Sequence, residues 1–267
     1  MGNVRMRRPL LKLSAAAAVL GTCALAIWTA AGAVHRFAHV VDLTHTLSED
    51  TPYIPIPGIT FPFKKTTIAT ISRDGVAANR WEIHEHLGTQ IDAPSHFFDQ
   101  GLSLEQLPVA SLVVPLVIID VSTRASSNAD TSVTVADIEA WERRHGRLPA
   151  QAAVFMMSGW DVRIGDANAF VNHDASGALH FPGFSVEAAI FLAQSRNVAG
   201  LGVDTLSLDP GIDTTYAAHK AWLATGKWGV ELVANLRNVP SSGATVFVGA
   251  SKVSGATGGP VRLIAVW

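Results

Sequence analysis

The apolar positions of this chain fall into three regimes. A continuous apolar run occupies 13–34. Residues 40–72 are rich in Thr, Pro and Ile, a mixture that predicts short strands and turns. Within them Tyr53-Ile54-Pro55-Ile56-Pro57-Gly58 excludes a helix, because each proline removes a backbone donor and fixes φ. From 112 onward, short β-rich runs alternate with helix-like segments. Residues 112–121 and 153–157 predict buried strands, and 122–131 a polar loop between elements. Thr134-Val135-Ala136-Asp137 opens a helix in the manner of a capping box, and that helix runs to Arg144 and stops at Gly146. Ser185 caps a second helix ending near Asn197, and 198–203 is the next strand. A third helix covers 217–224, and strands near 245–248 and 262–266 close the chain. Successive strand–helix–strand units favour parallel pairing. The expectation is a single α/β domain over 34–267 with a sheet-rich N-terminal half.

The first apolar run has a different meaning. Arg5, Arg7, Arg8 and Lys12 precede it, the first 33 residues hold no acid, and Ala31-Gly32-Ala33 fits a small-residue cleavage pattern. Residues 1–33 therefore predict an export signal cleaved after Ala33. Arg7-Arg8-Pro9-Leu10-Leu11-Lys12 looks like a twin-arginine signal, which gives a periplasmic destination. The alternative is an uncleaved anchor, since the run is long enough to span a bilayer. Cleavage would leave 16 basic against 22 acidic residues, a net charge of −6, and no membrane attachment. The only cysteine, Cys23, would leave with the signal, which removes disulfides and thiol chemistry from the mature chain. With 48% apolar and 16% charged residues and no basic patch, the composition suits a buried globular enzyme and gives no nucleic-acid partner.

The densest chemistry lies in His86-Leu87-Gly88-Thr89-Gln90-Ile91-Asp92-Ala93-Pro94-Ser95-His96-Phe97. Gly88 and Pro94 make a continuous helix unfavourable, and Thr89 and Ile91 favour extended backbone. In an extended chain His86, Gly88, Gln90 and Asp92 share one face, Leu87 and Ile91 the other, and Glu82 and His84 upstream fall on the polar face. Imidazole, amide oxygen and carboxylate together suit a divalent first-row cation.

The same residues carry a resemblance. HLGTQIDAPSHF resembles the H-x-G-T-x-x-D-x-P-x-H signature of the cyclase family of metal-dependent hydrolases, which includes kynurenine formamidases and isatin hydrolases. Gly202-Val203-Asp204-Thr205-Leu206-Ser207-Leu208-Asp209, then His219, then Gly229-Val230-Glu231-Leu232-Val233-Ala234-Asn235-Leu236 extend it toward the C-terminus. The resemblance implies a swivelling β/β/α fold assembled as homodimer or homotetramer. It implies metal ligands at His86, Gln90 and Asp92, and active-site groups at His96, His219 and Glu231. Formamidase-like members commonly have His where this chain has Gln90. A neutral oxygen there shifts preference from zinc toward harder ions. That points to one Mn²⁺ per chain, with Zn²⁺ still permitted, and to the isatin hydrolase branch.

The expected activity is opening of a small cyclic amide, isatin to isatinate, by metal-activated water, with His96 as proton donor, His219 assisting, and Glu231 as base, orienter or second-metal ligand. An aromatic lactam needs apolar walls, for which Phe61, Phe63, Trp81 and Trp228 are candidates. Alternatives are an arylformamidase acting on N-formylkynurenine, a lactone hydrolase, and a non-catalytic periplasmic protein that grips its ligand through the metal.

Overall fold

The computed structural model describes residues 37–267; the expected signal, its cleavage site and Cys23 lie outside them. In chain order the elements are β1 (Val40–Asp42), β2 (Lys64–Ala69), α1 (Ile71–Asp74), β3 (Ala78–Glu82), β4 (Gln90–Asp92), β5 (Val113–Asp120), α2 (Ser122–Ala125), β6 (Ser132–Val133), α3 (Val135–His145) and β7 (Ala152–Met157). They continue with α4 (Ala167–Val171), β8 (Gly183–Phe184), α5 (Val186–Ser195), β9 (Val198–Val203), α6 (Ala217–Leu223), β10 (Trp228–Glu231), β11 (Ala244–Ala250) and β12 (Gly258–Val266).

Eight strands form one sheet in the order β1-β12-β11-β5-β7-β9-β10-β4, and a further β12–β4 pairing closes it on itself. Strands β5, β7, β9 and β10 run parallel, joined by helical crossovers, as the strand–helix alternation requires. Strand alternation then sorts the side chains into two layers. Leu116, Ile118, Ala153, Phe155, Trp228 and Val230 pack in the barrel interior with Ile91. Val117, Ile119, Val154, Met156, Leu201 and Val203 face outward, against Ile138 and Trp141 of α3, Ala188 and Leu192 of α5, and Trp222 of α6. This is the mixed α/β architecture, a closed sheet flanked by helices, of the swivelling β/β/α fold.

Local signals place most of the elements. Thr134 and Asp137 form the capping box of α3, with Thr134 N donating to Asp137 Oδ2 at 2.9 Å, an arrangement worth about 1 kcal/mol. Ser185 Oγ accepts from Ala188 N at the start of α5. Three features depart from expectation. The 122–131 loop begins with a helical turn, α2, because Asp120 Oδ1 takes the Ser122 amide and turns the chain at the strand end. The β2–β3 hairpin is a separate two-stranded sheet. Residues 86–92 are not one extended strand: Gly88 adopts φ 72°, in the left-handed region that favours glycine, and only Gln90–Asp92 is strand. That turn brings His86 back over Asp92.

Asp204, directly after β9, is buried and accepts from Ser158 N, Ser158 Oγ and Gly159 N. Burial pushes its carboxyl up to about 6; those hydrogen bonds only partly offset it, and the nearby Asp161 charge adds to it. A folded-state value above the unfolded one means that its contribution to stability is full below about pH 4 and is lost as pH rises through about 6. Asp204→Asn should remove that loss, on the order of 2–3 kcal/mol, which denaturant melts of both proteins between pH 4 and pH 7 would measure. Parallel pH profiles would contradict the assignment.

Candidate metal centre and active-site cavity

The closing strand β4 builds the centre. Gln90 and Asp92 project outward from the barrel while Ile91 fills its interior, so alternation delivers an amide and a carboxylate to one face. On one side β10 pairs Glu231 with Gln90 and Gly229 with Asp92; on the other β12 pairs Gly258 with Asp92. Helix α6 brings His219 to the same face.

The contacts are mutually determined. His86 Nδ1 lies 2.7 Å from Asp92 Oδ1 and its Nε2 lies 3.0 Å from Thr257 Oγ1. Gln90 Nε2 donates to Glu231 Oε2 at 2.7 Å. A carboxylate only accepts, so the amide nitrogen must face Glu231 and Gln90 Oε1 must face away from it. Among the described residues that buried oxygen has no hydrogen-bond partner, and neither does Asp92 Oδ2. His219 Nε2 stands 3.4 Å from Asp92 Oδ2, too poorly placed to satisfy it, and 3.1 Å from Glu231 Oε1, which also accepts from Leu208 N. His219 Nδ1 meets Asp209 Oδ2 at 2.5 Å. His96, on a 3-10 turn over Pro94–His96, stacks on His86 with ring centroids 3.7 Å apart.

Two triads capable of holding an ion, His86–Asp92–His96 and Asp92–His219–Glu231, thus share Asp92, with the ligand atoms of each within 4.8 Å of one another. Buried unpaired oxygens beside imidazoles are what a divalent cation satisfies, and they are costly otherwise. The donors therefore fit a metal site.

The charges are strongly coupled. Burial opposes ionisation of Asp92, but the close His219 imidazole and the hydrogen-bonded His86 hold it well below the usual carboxylate range. Burial and the Asp92 charge push Glu231 up. Burial opposes protonation of His219 and His86, yet the surrounding carboxylates raise both. Burial presses His96 down to about 4; Asp92 opposes this, while the His86 and His219 charges reinforce it. His96 is therefore neutral near pH 7.

A cavity of about 490 Å³ opens on this cluster. His84, His86, Gln90, His96, His219 and Glu231 supply much of its polar lining, and Tyr53, Ile54, Phe97, Leu206, Tyr216 and Leu232 much of its apolar lining. Five of the six residues expected for metal and catalysis thus line the cavity, and the sixth, Asp92, lies against His86 and His219.

The four expected substrate aromatics do not line the cavity. Trp228 is three positions from Glu231, so alternation sends it into the barrel, where it is 1% exposed, lies against Gly200 and donates to Ser111 O. Phe63 is buried against Trp81, which is itself exposed on β3. Phe61 is exposed and meets a cavity residue only through His84, with ring centroids 5.4 Å apart. The aromatic walls are instead Tyr53, Phe97 and Tyr216. Proximity in sequence to His96 and His219 was the available signal for the last two.

Residues 41–210, more than half of the chain, match the family model described as "Putative cyclase". An isatin hydrolase from Roseibium aggregatum is 32% identical over 245 residues, covering 85% of this chain and 91% of its own. A kynurenine formamidase from Salinibacter ruber is 29% identical, covering 67% and 74%. The crystal structure of an isatin hydrolase bound to the product analogue thioisatinate superposes with a TM-score of 0.82 at 28% identity, covering 95% of this chain and 99% of that one. The chain belongs to the cyclase family of metal-dependent hydrolases. Within that family it is isatin-hydrolase-like.

Gly258 tests the geometry. A Cβ there would lie 2.5 Å from His86 Cε1 and 2.6 Å from Ile91 O. Gly258→Ala should cost about 1–3 kcal/mol of stability and weaken divalent-metal binding roughly tenfold or more, read by urea melts and metal titration. Undiminished metal affinity would show that His86 is not a ligand held by this packing.

Proposed function

We propose that the protein hydrolyses the ring amide of isatin, or of a closely related small aromatic lactam, to the open-chain product, with one Mn²⁺ per chain held by His86, Gln90 Oε1 and Asp92. The observation that carries this reading is Gln90. Its nitrogen is committed to Glu231 and its buried oxygen is left for a ligand, so the position offers a hard oxygen donor where a histidine would offer nitrogen. The likeness to isatin hydrolases over most of both chains supports the substrate class.

When bound, the ion supplies an activated water near neutral pH and draws charge from the amide carbonyl. The protein's own groups do the rest. The apolar walls of Tyr53, Ile54, Leu206 and Leu232 receive the fused ring and exclude bulk water. His96, neutral and stacked on His86, takes up a proton and delivers it to the departing ring nitrogen as the C–N bond breaks. His219 Nε2 passes protons between the cavity and Glu231 Oε1. Glu231 also aims Gln90 and anchors to Leu208 N, so it acts as an orienting group.

The basic residues and apolar run at the N-terminus support export to the periplasm with cleavage after Ala33. Among the described residues no helix is long and apolar enough to cross a membrane. The family resemblance supports a homodimer or homotetramer. N-terminal sequencing should find Val34 first; an intact Met1 would refute cleavage.

Metal-stripped protein should regain isatin turnover on adding Mn²⁺, followed by loss of the ring chromophore, and should prefer isatin to N-formylkynurenine and to lactones. Failure to turn over isatin in folded, Mn²⁺-bound protein would transfer the reading to the substrate that is consumed. His96→Ala should keep its Mn²⁺ and lose about 10²–10⁴-fold in kcat; a wild-type rate would remove His96 from the chemistry.

A further inference from the structure

His219 stands on the first turn of α6, and the way that turn begins is unusual. Its N-cap position, Tyr216, has φ 56° and offers no side-chain cap. A non-glycine residue in this region is strained and persists only where surrounding contacts impose it. The contacts come from elsewhere in the chain. The buried Asp209 carboxylate accepts from Ala218 N through Oδ1, and from both His219 N and His219 Nδ1 around Oδ2. Asp209 is itself fixed: Ser207 Oγ takes its amide, and Gly183 packs so closely on its backbone that no Cβ would fit there.

One carboxylate therefore grips the backbone and the ring of the same histidine. An oxygen that accepts the His219 backbone N–H can only accept from Nδ1 as well, so the ring proton on that side is held at Nδ1. Nε2 is the remaining nitrogen, and it faces Glu231 Oε1 and Asp92 Oδ2. Phe97 and Tyr216 bracket the ring, with centroids 5.0 and 6.1 Å away.

We propose that Asp209 is the positioning residue of the active site: it pins the proton of His219 on Nδ1 and makes Nε2 the single atom through which that imidazole exchanges protons at the cavity. The inference rests on the reading of His219 as a proton-relay group in a hydrolase. It assigns a role in the reaction to the last aspartate of the stretch 202–209, beyond capping a helix.

Asp209→Asn separates the two roles. Asn Oδ1 can keep the Ala218 amide, while its NH₂ gives up the 3.3 Å hydrogen bond from His219 N, meets Nδ1 and forces that nitrogen to accept, which moves the proton to Nε2. The expected result is a fall in kcat on isatin of about 10²-fold or more, with KM within roughly twofold and bound Mn²⁺ unchanged. In a His219→Ala background the same substitution should change kcat by less than about threefold, because a residue that acts through another has nothing left to position. Wild-type kcat in Asp209→Asn, or an equal fold-loss in both backgrounds, would overturn the proposal.

Ring ¹⁵N spectra of histidine-labelled protein loaded with diamagnetic Zn²⁺ give a readout independent of turnover. Wild type should show a protonated Nδ1 on His219, and Asp209→Asn a protonated Nε2 with Nδ1 bare. A bare Nδ1 in wild type would overturn the proposal even if the variant does not fold. If wild type consumes no cyclic amide, the functional reading falls while these spectra still judge the role of Asp209.

Discussion

The structure depends on a three-residue strand that is held on both edges. β4 pairs with β10 and with β12 and thereby closes the barrel. All three of its residues are buried: Ile91 packs the interior, while Gln90 and Asp92 face outward under His86, His219 and His96. Barrel closure and assembly of the metal centre are thus one event. Glycines 229 and 258 flank Asp92 in the two neighbouring strands, and the lack of a side chain at Gly258 is what lets the His86 ring settle on that edge. A site on paired strands is held more tightly than one on loops, which suits chemistry that tolerates little displacement of its groups.

The centre is also electrostatically expensive. Asp92, Asp209, Glu231 and His219 are buried together, and burying charges costs several kcal/mol each unless they are paired. The network answers that cost by sharing. His219 lies among all three carboxylates, and His86 is paired with Asp92. Among the described residues Asp92 Oδ2 and Gln90 Oε1 are nevertheless left without a hydrogen bond. A folded protein keeps such oxygens for a ligand, so the residual imbalance is itself the signature of function. His96 is held at the opposite extreme, neutral because burial and two neighbouring imidazoles disfavour its charge. One cluster thus contains a histidine favouring protonation and one resisting it, which is how acid and base roles are divided within a small volume.

Amide chemistry gives Gln90 a part that a carboxylate could not play. Its two ends differ, and Glu231 selects which end faces the cluster. The family resemblance singled out the position and its departure from histidine. The reason why oxygen is presented lies across the sheet, 141 residues away in sequence. Asp209 shows the same division, since its partners Ala218 and His219 are nine and ten residues distant and lie on a separate element.

The sequence by itself determined what is local or periodic. The Thr134–Asp137 cap, the apolar runs that became β5, β7 and β9, and the HLGTQIDAPSHF run that marked the metal centre all depend on neighbours a few positions apart. So does the sharing of one face by Gln90 and Asp92. Tertiary structure decided what depends on pairing between distant segments: closure of the barrel through β4, the fold-back of His86 at Gly88, the return of Trp228 to the interior, and the choice of Tyr53, Phe97 and Tyr216 as cavity walls. The physical reason is that a side chain's type states which contacts it favours, whereas the face it occupies is set by register with strands that lie a hundred residues away.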